Sequence, residues 1–311
     1  MKILSDPFNA YAITAEQPGP HVLIAAGVHG DEFEPMLAVR ELLQQLSAGL
    51  LVGKVTLVPV VNTSAFVAGT RYGSDGKDLA RICPGDAEGT PTARSADAIS
   101  KLIHTADYFI DMHTGGILYD LYPLCGYMLH PVETILKSQQ KMAYAFGLPV
   151  IWGTDHYAAG RTLSVARDAQ VPAIYVEYGG GTGIRPQVID AYVKGCRNVL
   201  RMLGMTTDSG GEETEVSYWV EDFIINSGHL QAKLPAPSAG IFVPQVALGK
   251  QVKKDDVWGH VLSPYGEEAV VLADMDGLVF MLRAVVHVKR GDALGGILPI
   301  LKPGKVVIHG T

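Results

Sequence analysis

Only three cysteines occur in 311 residues, Cys83, Cys125 and Cys196, and no two of them form a C-x-x-C pair. So few, so widely spaced, exclude a disulfide framework and fit a reducing cytoplasm, which is the expected location. Long apolar runs are missing as well. The longest, such as HVLIAAG and KVTLVPVVN, fall far short of the ~20 residues a membrane helix needs. The first twenty residues, MKILSDPFNAYAITAEQPGP, lack the basic start and apolar stretch of a secretory signal. Positive charge is scarce and dispersed: 25 Lys and Arg stand against 32 Asp and Glu, a formal net charge of −7. The electrostatic footprint of a nucleic-acid binder is therefore absent. With nucleic acid and membrane set aside as partners, a small molecule or a peptide remains. The composition is otherwise ordinary for a globular chain, with material for one large domain and a smaller one.

Residues 1–205 alternate short β-type runs with helical patterns. HVLIAAG (21–27) reads as a buried strand, followed by a helix over 31–49 in which Met36, Val39, Leu43 and Leu46 recur at helical spacing. KVTLVPVVN (54–62) is the next strand, and a glycine- and charge-rich loop spans 69–90. Further helices are expected at 95–104, 131–146 and 185–204, and further strands at 106–113, 147–152 and 171–180. Such alternation predicts an α/β fold, a mostly parallel sheet flanked by helices. In these sheets, active sites gather at the carboxyl ends of strands. Residues 206–215, TTDSGGEETE, read as a polar linker. Beyond it, 216–311 carries only short β-type runs punctuated by glycine and proline, and reads as a small all-β domain, a barrel or flattened sandwich. Within it GKQVKKDDVWG and HVKRGDALGG share a short pattern that points to two half-repeats.

Chemistry concentrates where strands end. GVHGDE places His29 and Glu32 three residues apart directly after a strand, so one short turn can aim an imidazole and a carboxylate at one point. Those are ligand types that Zn²⁺ accepts, and catalytic zinc takes a third protein ligand and keeps one open position. His113, closing ADYFIDMH, is the candidate third. An H-x-x-E pair alone is more often a surface turn, and a lone histidine more often a hydrogen-bonded core residue. The odds reverse because both segments end strands and are flanked by glycines, and because Glu177 closes a third strand in VEYGGG. A carboxylate there can take a proton from a metal-activated water and hand it to a leaving nitrogen; otherwise it is an ion-paired strand end. His156 and Arg161, in TDHYAAGRTLS, sit on a glycine-bearing loop that can shape a substrate pocket or serve only as a loop. Asp111 shares a face with His113 and either hydrogen-bonds it or caps a neighbouring loop. The remaining histidines, His21, His104, His130, His229, His260, His287 and His309, read as structural, and Cys83 as packing.

Taken in order, AAGVHGDEFEP, NTSAFVAGTRYGSDGKDLAR, DMHTGG and VEYGGG resemble the succinylglutamate desuccinylase/aspartoacylase family of the zinc carboxypeptidase-like superfamily, over about residues 20–204. The resemblance implies a carboxypeptidase-like mixed sheet flanked by helices, one zinc ion per chain and hydrolysis of an amide bond. It further implies that Arg71 polarises the scissile carbonyl and that Arg81 binds a substrate carboxylate. The family run D-L-N-R-x-F-P-G appears here as Asp78-Leu79-Ala80-Arg81-Ile82-Cys83-Pro84-Gly85, and Ala80 lacks the amide that an asparagine would offer. The leading expectation is a zinc-dependent amidohydrolase acting on a small N-acyl amino acid or N-acyl diamino acid. A carboxypeptidase acting on peptides and a non-catalytic metal-binding scaffold are the alternatives. The all-β tail resembles small carrier barrels but has no lysine on an obvious hairpin tip, so it is expected to cover the active-site mouth or to make the contact of a homo-oligomer.

Overall fold

In the computed structural model, residues 2–46, 49–181, 183–207, 216–229, 233–299 and the backbone of 306–309 are described. Most of the expected linker, 208–215, lies outside the described residues. Strands β1 (Lys2–Leu4) and β2 (Ala10–Thr14) precede β3 (Gln17–Ala26), α1 (Phe33–Gln45), β4 (Val52–Val58) and α2 (Thr63–Ala68). Next come α3 (Pro91–Ile103), β5 (Tyr108–His113), β6 (Tyr119–Met128), α4 (Glu133–Phe146) and β7 (Val150–Thr154). Helix α5 (Thr162–Asp168), β8 (Ala173–Gly180) and α6 (Pro186–Met202) complete the helical part.

The main elements stand where hydrophobic period places them, and local chemistry moves their ends. β4 stops at Val58, short of the expected 62, because Pro59 can donate no ladder bond and Asn62 turns to cap α2. The Asn62 side chain accepts from the Ala65 amide at 3.2 Å. Helix α3 begins at Pro91, four residues ahead of the expected start, since a first-turn proline sacrifices no helical bond. β6 fills a stretch that reads as a connection. Pro123 breaks its alternation, and the ladder to β8 shifts register between Leu121 and Leu124.

The strands join in the order β1-β2-β4-β3-β5-β8-β6-β7. β4, β3, β5 and β8 run parallel to one another, as do β6 and β7, with an antiparallel seam where β8 meets β6. One face packs under α1, α4 and α6 through Met36, Leu42, Met142, Phe146, Tyr192 and Val199, against Ile24, Ile110 and Val176 of the sheet. On the opposite face Ile99 and Ile103 of α3, with Leu163 and Ala166 of α5, cover Leu23, Phe109 and Ala173. His113, Asp111 and Glu177 share the parity of Phe109 and Ala173. They therefore emerge on this second face, beyond the carboxyl ends of the parallel strands.

The tail is all strand among the described residues: β9 (Tyr218–Asp222), β10 (Gly240–Pro244), β11 (Gln251–Val252), β12 (Val257–Leu262) and β13 (Glu268–Leu272). β14 (Gly277–Arg283), β15 (His287–Val288), β16 (Gly295–Leu298) and β17 (Val306–His309) follow. Four strands form their own antiparallel sheet, β13-β12-β10-β15. The others extend the large sheet. β9 runs parallel beside β7, and β14 pairs antiparallel with the first residues of β6, placing Met281 opposite Leu121. The resulting mini-core packs Trp152 and Leu124 against Phe280 and Leu278. No described helix is long and apolar enough to cross a membrane.

Candidate active site

The turn between β3 and α1 carries His29, and Glu32 is the N-cap residue of α1. This turn lies hard against α2: a Cβ on Gly30 would fall 2.0 Å from the Ala65 carbonyl carbon, so only glycine fits there. The Gly30 amide donates to the Thr70 carbonyl at 3.0 Å, which ties the turn to the loop bearing Arg71. His113 closes β5 and lies in register with Glu177 of β8.

His29, Glu32 and His113 meet at one buried point, with one ligand atom from each lying within 4.8 Å of the others, a set that could hold a metal ion. His29 Nδ1 lies 2.7 Å from Glu32 Oε1, and His113 Nδ1 lies 2.9 Å from Glu32 Oε2. Each imidazole turns its far nitrogen to another carboxylate: His29 Nε2 is 3.3 Å from Asp78 Oδ1, and His113 Nε2 is 3.1 Å from Asp111 Oδ2. Asp111 also accepts from the Thr162 hydroxyl at the end of the neighbouring loop, so it meets both of its sequence readings, contacting His113 and holding that loop. Asp78 is a residue that sequence reasoning passed over. It lies forty-nine positions from His29 and carries no spacing signal. Its other oxygen accepts from Arg71 Nε at 3.0 Å, so one carboxylate orients both an imidazole and a guanidinium.

The electrostatics suit a cation. Burial alone would raise the Glu32 carboxyl, but His29 and His113 hold it at about 2. Burial would likewise lower the His113 imidazole, yet Asp111 and Glu32 keep it well above its ordinary value. Glu177 behaves oppositely. Burial and the charges of Glu32 and Asp111 push it up to about 8 against the pull of His113 and Arg71, and its Oε2 has no hydrogen-bond partner. The buried Cys83 thiol, driven up to about 12 by burial and by Asp111, stays protonated and does no nucleophilic work.

These groups open onto a cavity of about 140 Å³. A single water needs ~10–15 Å³ by the same measure, so the space suits a small molecule. Arg71, Arg81 and Arg161 all line it, as do Gly228 and Met281 from the tail. Arg81 sits in a 3₁₀ turn (Leu79–Arg81) that Asp78 caps through the Ala80 amide at 2.9 Å. The Arg161 guanidinium, from the N-cap residue of α5, donates to the Gly228 carbonyl at 3.5 Å. Among the described residues neither Arg81 nor Arg161 makes an ion pair. Burial lowers Arg81 below its ordinary value, and the charges of Arg161 and Arg71 add to this while Asp78 opposes it. His156 instead stacks on Tyr157, ring centroids 4.0 Å apart, away from the cavity walls. His21 and His130 make the structural bonds expected of them, to Thr56 and Thr105 and to the Arg167 carbonyl. His229 lies near enough to the arginines that burial, and then their charges, lower its pKa.

Residues 18–203 match the model of the succinylglutamate desuccinylase/aspartoacylase catalytic domain. The chain belongs to this family. An N-alpha-acetyl-L-2,4-diaminobutyric acid deacetylase from Halomonas elongata is 29% identical over 293 residues, 91% of this chain and 83% of the relative. A succinylglutamate desuccinylase from Burkholderia cenocepacia is 37% identical over 106 residues, 30% of each chain. Among solved structures, the product-bound ectoine utilization protein EutE (DoeB) from Ruegeria pomeroyi superposes with a TM-score of 0.84 at 25% identity, covering 93% of this chain and 88% of that one. Like its family, the chain is a hydrolase of acyl–amide bonds.

Proposed function

We propose that this hydrolase is zinc-dependent and cleaves the amide bond of a small N-acyl amino acid or N-acyl diamino acid. The observation that carries the reading is the convergence of the His29 and His113 Nδ1 atoms on Glu32, with a carboxylate behind each Nε2. This donor set fits zinc: two imidazoles and a carboxylate as ligands, each imidazole fixed in orientation by Asp78 or Asp111. When bound, zinc supplies Lewis-acid polarisation of the acyl carbonyl and lowers the pKa of a water.

The protein's own groups do the rest. Glu177, in register with His113, takes the water's proton and returns it to the departing nitrogen; a carboxyl raised toward neutrality suits both duties. Arg71, fixed by Asp78, points its guanidinium at the centre, Nη1 lying 3.4 Å from His29 Nδ1, and stabilises the oxyanion as it forms. Arg81 and Arg161 grip the substrate carboxylate. An anion between them relieves the repulsion they impose on each other, and Arg161 supplies from another loop the second contact that Ala80 cannot. Tail residues in the wall of so small a cavity favour a compact substrate over a peptide.

The test is metal analysis together with amine release from a panel of N-acylated amino acids and C-terminally free peptides. One zinc per chain and turnover of the acylated amino acids are expected. Peptide cleavage alone, or full turnover in the metal-stripped protein, would overturn the reading.

A further inference from the structure

Among the described residues the cavity holds three guanidiniums but no carboxylate outside the reacting centre. Of its lining residues only Glu32, Asp111 and Glu177 are acidic. Glu32 is taken by His29 and His113, the Asp111 Oδ2 atom by His113 and Thr162, and both Asp111 and Glu177 stand beside the reacting centre with His113. A substrate ammonium would find no partner away from that centre and would meet Arg71, Arg81 and Arg161 instead. Desolvating a charge without a partner is strongly disfavoured.

The cavity also has a largely apolar floor built from sheet register, in which the Tyr175 hydroxyl and Trp152 Nε1 are the polar atoms without a hydrogen-bond partner. Leu124 of β6 lies directly across from Glu177, Met281 of β14 lies across from Leu121, and Tyr175 of β8 and Trp152 of β7 flank Gly126 from either side. Gly126 makes the floor possible. A Cβ there would fall 2.1 Å from Tyr175 Cζ, so only a glycine lets the ring lie across the strand. Met128, two residues on, has the same parity and also faces the cavity.

Resting on the deacylase reading above, we infer that the substrate carries one carboxylate, held at Arg81 and Arg161, and an uncharged apolar group laid on the floor of Leu121, Leu124, Met128, Trp152, Tyr175 and Met281. That group stands in place of a second charge, whether ammonium or carboxylate. It belongs to either the acyl half or the amino-acid side chain, and the cavity chemistry is the same for both.

The experiment compares kcat/KM by amine release across three sets, with N-acetylglycine as reference. The first lengthens the acyl chain on glycine from acetyl to hexanoyl. The second keeps acetyl and enlarges the side chain through alanine, valine, leucine, methionine and phenylalanine. The third holds the charged compounds Nα-acetyl-2,4-diaminobutyrate, N-acetylaspartate and N-succinylglutamate. A gain of roughly fourfold per buried methylene is expected along one of the first two sets, and which set rises identifies the half that bears the group. Charged compounds should fall at least roughly tenfold below the best apolar one. Met281→Gln should flatten the gradient and Met281→Leu should keep it, while Met128→Asp should move preference toward the diaminobutyrate. A wild-type preference for any charged compound, or flat series in both halves, overturns the inference and leaves the deacylase standing. No amine release from any of the three sets overturns both.

Discussion

Glu177→Gln separates chemistry from architecture, because the carboxyl it removes is costly to the fold. In the metal-free protein, burial and the charges of Glu32 and Asp111 raise that carboxyl from an ordinary 4.5 to about 8. A displacement of this size is worth roughly a few kcal/mol. Its sign follows from the raised folded-state value. Below about pH 4.5 the group is protonated in folded and unfolded chains alike and takes nothing from stability. As pH rises toward 8 the unfolded chain gives up the proton first, stability drains away, and above 8 the loss is complete. Glutamine cannot titrate. Metal-free Glu177→Gln should therefore lie within about 1 kcal/mol of metal-free wild type in urea unfolding at pH 5 and exceed it by roughly a few kcal/mol at pH 8.5. A bound zinc ion would favour the Glu177 carboxylate, so the variant's advantage at pH 8.5 should shrink on metal addition. Activity moves the other way: the variant keeps its metal and loses roughly 10²-fold or more in turnover. Unfolding midpoints that run parallel from pH 5 to 8.5 would refute the electrostatic argument, and near-normal turnover would refute the assignment of Glu177 to proton transfer.

The other expectations concern the metal, the oxyanion and the carboxylate. His113→Ala should lower bound zinc and activity together; full zinc occupancy in that variant, measured by elemental analysis, would remove His113 from the ligand set. Asp111→Asn keeps shape but withdraws the charge behind His113 Nε2, and should weaken metal affinity or activity 10–100-fold in chelator competition and turnover assays. Arg71→Ala should cut kcat far more than it raises KM, because its contact strengthens as negative charge develops on oxygen; a pure KM effect would make Arg71 a binding residue only. Ala80→Asn places an amide beside Arg81 in the cavity wall and should change kcat/KM on N-acetylaspartate by less than roughly threefold, because Arg161 already makes the second contact to the carboxylate. An improvement of roughly one to two decades, the worth of a hydrogen bond to a charged group at ~1.5–3 kcal/mol, would remove Arg161 from that role.

The parallel strands and the helices covering them could be read from period alone because each buries a stripe that its own sequence repeats. β6 could not. Its apolar residues face two different neighbours, and Pro123 interrupts the alternation where the ladder shifts. Helix α5 has only seven residues, too few for a period to emerge. At the candidate site, His29, Glu32, His113 and Glu177 carry a local signal: His29 and Glu32 lie on the short turn after β3 with Gly27 and Gly30, His113 closes β5, and Glu177 lies three residues before the glycine end of β8. Asp78 has no such mark, and neither have Leu124, Trp152 and Met281. Their nearness to the centre comes from pairings between strands far apart in the chain, which no window of residues records.

The pairing of β14 with β6 and of β9 with β7 bears on how such a chain can be divided or recombined. A gene ended after residue 205 would leave the last strand of the large sheet, β7, with an open edge and would strip Phe280 and Leu278 from Trp152 and Leu124. That edge is a template for intermolecular pairing, so the shortened product should aggregate instead of behaving as a smaller enzyme. Exchanging the tail between relatives carries a second consequence. It replaces Gly228 and Met281 in the cavity wall, so a chimaera takes His29, Glu32 and His113 from one parent and part of its cavity wall from the other.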